Sequence, residues 1–440
     1  MSLTKFCSVT HSFSTTEHEM EIKWKEIIQF KWFKRLYILY IFGTILSFRP
    51  SAPFFYEFLT TNKNFSDDEV NQEVVPLLYY STAVQLLPVF LLMEFVKFNP
   101  FLIICTLTGI ISTCLYIWTD SLTQIQIAQA FCGSMTSAEV AYYVSIYAHG
   151  DVKNYQRLTA YVRAGPLVGK LVAAFLGQLF VSQNLLSYKE LHYFNLAEFL
   201  IVSAFILATI VTIFIPTPPQ EQSEKSEEPL PSNFKSIFSN LTRSFPNKYV
   251  VKWTLWSIFT VCGYNQITMY VQPLLKTLQD IKGLSTYNGV LEGMYAVFAL
   301  IGTILGGFAK FDWKFKGDLI LSMTSLVQAF MLLFMSQIEN VPLNCFFYIV
   351  LGFMYHFVMT VLSGEIAKFL NKGSFGLVFG LIALIAAILH SGMVCMLNDK
   401  IGFDFEPQDL FMVYGFYHLN ISVLFIIVGL TYWFAKHTYQ

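Results

Sequence analysis

The run PTPPQEQSEKSEEPLPSNFKSIFSNLTRSFPN, residues 216–247, decides how the chain is organised. It concentrates Pro, Ser and charge, a composition that makes a linker and not a packed element. Apolar stretches of about 20 residues, the length a helix needs to cross a hydrocarbon core, flank it on both sides. Six precede it, at 36–59, 74–95, 100–118, 122–148, 158–182 and 192–215, and six follow, at 249–275, 287–309, 318–337, 343–370, 374–397 and 411–434. Composition agrees: 55% of the 440 residues are hydrophobic and 13% charged, against roughly 25% charge in an ordinary soluble domain. The sequence predicts an all-α membrane protein with twelve spanning helices in two halves, and the bilayer is its first partner.

The expected organisation is a tail at 1–35, a six-helix half at 36–215, the linker at 216–248, a second half at 249–434 and a short tail at 435–440. The first 35 residues have no clean apolar core ending in a small-residue cleavage site, so they are expected to form a cytosolic tail and not a signal peptide. Of the 28 Lys and Arg, 19 fall on segments that are cytosolic if the N-terminus is inside, five on the opposite side and four within spans. The positive-inside bias therefore places both termini in the cytosol. Two sets of six spans about a charged linker is the architecture of major-facilitator transporters, whose substrate site lies between the halves near the midplane. The count alone also fits a channel or a polytopic enzyme.

Several classes are excluded. With 28 basic against 29 acidic residues there is no basic field to attract a polynucleotide, so no nucleic-acid partner is expected. The seven Cys show neither a CxxC pair nor metal-ligand spacing. GxxxxGK[ST], HExxH and GxSxG are all missing, so no catalytic residue, metal or cofactor is assigned and the chain is not expected to be an enzyme. Oligomeric state is not encoded in any feature of the sequence.

Ionisable groups inside spans are costly and mark candidate sites. Glu139 lies about nine residues from the inner end of span four, on the order of 13 Å into the helix. Tyr142, Tyr143 and Tyr147 follow it, so a carboxylate and phenols occupy neighbouring helix faces, a combination suited to an organic cation. Alternatively Glu139 pairs with Arg163 of span five. Asn265 and Gln266 in span seven offer carboxamides, that of Gln266 expected to hydrogen-bond a neighbouring helix. Lys170, Glu292 and His390 are candidate charge-relay or structural groups, and His356 could also titrate near neutrality. Arg49 opens an RPSAP run whose two prolines break span one where a cavity could sit. Asn64-Phe65-Ser66 is a glycosylation sequon on the outer side, whereas Asn240-Leu241-Thr242 falls in the linker.

The chain resembles the reduced folate and thiamine carriers. The resemblance is carried by FRPSAPF at 48–54, SAEVAYYVSIY at 137–147, YQRLTAYVRA at 155–164, the WTLW and GYNQITMYVQ segments within 253–272, YNGVLE at 287–292 and VYG at 413–415, in order and at family-like spacing. It implies a plasma-membrane vitamin carrier working by alternating access. Folate carriers of the family have cationic anchors at the position matching Glu139 and near those matching Gly352 and His390; this sequence has none of them. The SAEVAYY run is similar to that of the thiamine carriers, in which the residues matching Glu139, Tyr142 and Asn265 contact the aminopyrimidine. Two departures stand out: Ala52 replaces an acidic residue of the thiamine carriers, and Leu78 replaces an aromatic. The resemblance favours thiamine as substrate; the alternatives are a diverged reduced-folate carrier, a carrier of another vitamin-like heterocycle, or a receptor-like member that binds without transporting.

Overall fold

A computed structural model describes residues 37–93, 99–147, 152–214, 248–282, 287–311, 313–370, 374–397, 403 and 405–438. The expected N-terminal tail and nearly all of the linker, with its Asn240 sequon, lie outside the described residues. Twelve main helices occur among them. Those of the first half are α1 (Tyr37–Leu46), α2 (Val75–Leu92), α3 (Asn99–Trp118), α4 (Leu122–Ser145), α5 (Tyr155–Ser182) and α6 (Tyr188–Phe214). The second half contains α7 (Lys248–Lys282), α8 (Asn288–Phe308), α9 (Trp313–Gln337), α10 (Val341–Lys368), α11 (Phe375–Leu397) and α12 (Pro407–Thr438). The face at which α1 begins is called proximal below, and the opposite one distal.

Eight helices among the described residues, including α2, α5, α8 and α10, are long and apolar enough to cross a membrane. Of the four other helices, α1 is a shorter apolar helix, and α4 and α7 are studded with Gln, Asn, Ser and Thr. Their polarity has a place to go, since both border the space between the halves. Lipid-facing positions show the opposite pattern: Ile104, Leu107, Ile111, Leu200, Leu319 and Ile427 are exposed, as a hydrocarbon solvent permits.

Span one is not a continuous helix. α1 ends at Leu46, and the chain resumes only as a tight turn at Ala52–Phe54, a single helical turn at Phe55–Glu57 and a wide turn at Phe58–Asn62. Pro50 and Pro53 remove two backbone donors here. The freed groups are satisfied locally. The Arg49 guanidinium donates to the Leu46 carbonyl at 2.9 Å, a basic group at a helix C-terminus. Asn195 of α6 donates to the Ser51 hydroxyl at 2.6 Å, and His192 lies 3.3 Å from the same oxygen.

Within the first half α4 packs on α2 and α3, and α3 on α6; in the second half α9 packs on α12, α8 on α10, and α7 on α10, α11 and α12. The halves meet mainly through α5 against α8 and α2 against α11. Polar ties cross this boundary at both faces. On the distal side Asn288 donates to Glu57 at 2.7 Å, the Gly289 amide to Gln178 at 2.9 Å, and Lys276 pairs with Asp67 at 3.1 Å. On the proximal side Gln156 donates to the carbonyls of Gly306 at 2.6 Å and Ala309 at 3.0 Å. The two halves are thus tied to each other at both faces.

Candidate functional site

Three cavities lie in succession between the halves. A distal one of about 350 Å³ reaches Tyr56, Leu78 and Tyr116; a central one of about 410 Å³ holds Glu139, Lys170 and Glu292; a proximal one of about 340 Å³ reaches Arg163, Met359 and Phe379. Arg49, Ala52, Thr268 and Gln272 are shared by the distal and central cavities, and Tyr143, Tyr264 and His356 by the central and proximal ones. The shared residues form two partitions along one path.

Glu139 opens onto the central cavity, and the Tyr143 hydroxyl donates to its Oε1 at 3.4 Å, the i to i+4 relation of α4. No ion pair joins Glu139 to Arg163 among the described residues. Arg163 instead sets its guanidinium 5.8 Å from the centre of the Tyr143 ring, facing the proximal cavity. The central cavity also holds Arg49. Arg49 is itself committed to α6: its Nε lies 3.8 Å from buried Glu198, and its guanidinium sits 5.1 Å from the Phe199 ring.

Lys170 finds its partner across the halves. Its ammonium lies 2.6 Å from Oε2 of Glu292 in α8 and 4.5 Å from the centre of the Tyr295 ring, while Tyr348 of α10 donates to Oε1 of Glu292 at 3.0 Å. Three carboxylates (Glu139, Glu198, Glu292) therefore stand in or directly behind the central cavity against two cations (Arg49, Lys170). The only one of the three carboxylates not ion-paired among the described residues is Glu139.

Other sequence-predicted residues are placed elsewhere. Tyr142 is fully buried and points away from the cavity, its hydroxyl donating to the carbonyls of Leu39 and Val162, both at 3.1 Å. A Cβ on Gly43 would collide with that hydroxyl, so glycine there lets α1 close onto α4. Asn265 lines none of the three cavities; α7 presents Tyr264, Thr268 and Gln272 instead, at four-residue intervals. Gln266 bridges helices, donating to the His390 carbonyl at 3.0 Å and accepting from Tyr414 at 3.1 Å. His390 is buried against Tyr79 of α2, with ring centres 4.3 Å apart, outside the path. Asn64 is exposed in the distal loop with φ of 57°, a conformation Asn tolerates.

The residues not assigned from sequence are the aromatics of the second half. Tyr264 stacks on Tyr355 with ring centres 3.5 Å apart, and its hydroxyl meets that of Tyr295, which also lies 3.1 Å from His356 Nε2. Gly352 makes room for Tyr295, whose ring a Cβ at 352 would strike. The signal for this cluster was present as the face of α10 formed by Tyr348, Gly352, Tyr355 and His356. Among the described residues no three His, Cys, Asp or Glu side chains are grouped to hold a metal.

Two helical halves enclosing a polar, charge-lined cavity at mid-depth define a polytopic membrane protein of major-facilitator fold. Solved structures agree on the fold: the human organic anion transporter MFSD10 (TM-score 0.63, 13% identity, covering 89% of this chain and 98% of that one) and the E. coli fucose:proton symporter FucP (TM-score 0.56, 12% identity, covering 90% and 99%). The family described as Reduced folate carrier matches residues 30–221 and 216–413. Folate transporter 1 of Caenorhabditis elegans is 30% identical over 92% of this chain and 94% of its own, and Thiamine transporter 2 of Homo sapiens 28% identical over 90% of each. The chain belongs to the reduced folate carrier family and is a membrane transporter, not an enzyme.

Proposed function

We propose that this protein carries a vitamin across the membrane by alternating access and that its preferred substrate is an organic cation of the thiamine type. The supporting observation is Glu139. It faces the central cavity with a phenol as hydrogen-bond partner, while both cavity cations are already paired, Arg49 with Glu198 and Lys170 with Glu292. A cation entering there meets an uncommitted carboxylate and a wall of tyrosines. A folate dianion would have to break an ion pair to find a cationic anchor in the central cavity, and it would face the Glu139 charge. Glu139 neutralises the cation, Tyr143 orients the carboxylate, and Tyr264 supplies a flat contact surface.

Uptake of labelled thiamine and of labelled reduced folate, in cells expressing the chain and in mock-transfected cells, tests the reading. Thiamine uptake above background, lost in Glu139→Gln, supports it; uptake equal to mock, or a fully active Glu139→Gln, rejects it. One observation favours the folate alternative: the Lys170 side chain is 39% exposed, and so is available to an anion. Folate uptake that Lys170→Ala abolishes would establish that alternative.

The same reading places the protein in the plasma membrane with the proximal face toward the cytosol, and the distal face, with the Asn64 loop, outside. A glycosidase-sensitive mobility shift that disappears in Asn64→Gln tests this orientation.

A further inference from the structure

The central cavity contains a second carboxylate–aromatic arrangement that the Glu139 reading does not use. Glu292 presents one oxygen to Tyr348 and the other to the cavity; the rings of Tyr295 and Tyr348 stack with centres 4.9 Å apart beside it. A carboxylate next to an aromatic face is how proteins hold ammonium groups. An ammonium group is in fact there, 2.6 Å from Glu292 and 4.5 Å from the Tyr295 ring, and it belongs to Lys170. Lys170 comes from the opposite half, on a flexible four-carbon stem that remains 39% exposed to the cavity. Glu292 is only 8% exposed and is held in place by Tyr348.

We propose that Glu292, Tyr295 and Tyr348 form a second subsite for an organic ammonium group, and that Lys170 is its tethered occupant, restricting the cavity to substrates that need only the Glu139 side. The proposal rests on the central cavity being the substrate site. Lys170 thereby acts as a specificity residue: it excludes a second cationic group from the subsite by filling it. The geometry distinguishes this role from an ordinary surface ion pair, since the ammonium is set over a ring and its partner carboxylate is buried.

The test uses the full chain purified into lipid nanodiscs, titrated with choline chloride against sodium chloride at matched ionic strength, with calorimetric binding and thermal stability as readouts. Lys170→Met keeps the stem and removes the charge. It should bind choline with a Kd at least about tenfold below that of the unaltered chain, and Lys170→Met/Glu292→Gln should lose that gain. Equal choline binding by the unaltered chain and Lys170→Met, or a gain that survives Glu292→Gln, overturns the proposal. A loss of stability in Lys170→Met that choline does not restore also overturns it, because that is the signature of a purely structural pair. Should Lys170→Met not fold, Glu292→Gln in the otherwise native chain decides: acetylation of Lys170 by a water-soluble succinimidyl ester, followed by peptide mass spectrometry, should speed up severalfold, and an unchanged rate rejects the proposal. Choline binding is read with no transported substrate present, so a failure of thiamine uptake and a failure of the subsite are separate results.

Discussion

The Tyr143 hydroxyl donates to Glu139 at 3.4 Å, while Tyr142, its neighbour in sequence, spends its hydroxyl on the backbone of α1 and α5. Two adjacent tyrosines thus have separable roles. Tyr143→Phe should raise the KM for the transported cation roughly tenfold, the scale of a hydrogen bond to a charged group, with little change in thermal stability. Tyr142→Phe should cost about 1 kcal/mol of stability and leave KM near its starting value. Uptake kinetics and melting curves on both variants check the division.

Arg49 compensates a carboxylate that is 2% exposed, Glu198. Removing one member of a buried pair leaves the other charge stranded, at a cost of about 3–5 kcal/mol. Arg49→Ala should therefore lower the melting temperature sharply, and Arg49→Ala/Glu198→Gln should recover most of it. Equal losses in the single and double variants would mean that Arg49 contributes by packing and by its bond to the Leu46 carbonyl.

Gly43→Ala should destabilise by about 1–3 kcal/mol, the cost of overpacking a close helix contact. The added methyl meets the Tyr142 ring and hydroxyl together with Pro166 Cδ at 2.9 Å. Adding Tyr142→Phe to Gly43→Ala should restore part of the loss, measured by thermal melting.

At the distal face the halves are tied by Asn288 on Glu57 and by Lys276 on Asp67. Asn288→Ala/Lys276→Ala should shift the population toward distal opening. A cysteine at Gln272, which lines both the distal and central cavities, should then react roughly fivefold faster with a membrane-impermeant thiol reagent, corresponding to about 1 kcal/mol of lost closure. An unchanged rate would locate the closing contacts elsewhere.

Lys63, whose side chain is 1% exposed, pairs with exposed Asp120 at 2.6 Å in the distal loops, and that bond holds the Asp120 carboxyl below its usual range. A carboxyl depressed by folding adds stability above its unfolded pKa, and the contribution is lost as pH falls through the folded value. The chain should therefore lose stability on acidification below about pH 4, and Asp120→Asn should show a smaller decrease over that interval. Melting curves from pH 6 to pH 3 measure the difference, which high salt should reduce at the exposed carboxylate.

Some of the site is legible in the sequence. The prolines of RPSAP predict the break in span one, because a missing N–H and a fixed φ act locally. The four-residue spacing of Glu139 and Tyr143 predicts their contact, because helix geometry fixes it. The spacing does not separate Tyr142 from Tyr143, since both lie within a turn of Glu139 and the direction of the cavity depends on how α4 is rotated against α1 and α5. His356 and His390 are equally apolar in context, yet one lines the path and the other packs on Tyr79. Asn265 and Thr268 differ in the same way.

Twelve apolar stretches, a charged linker and a few intramembrane charges determined the class of this protein, because crossing lipid imposes helix length and makes every intramembrane charge costly whatever the neighbours are. The partners of those charges were decided only by the tertiary structure. Lys170 meets Glu292, and Arg49 meets Glu198, across helices far apart in the chain, and a Coulomb interaction depends on distance in space, which no sequence interval specifies.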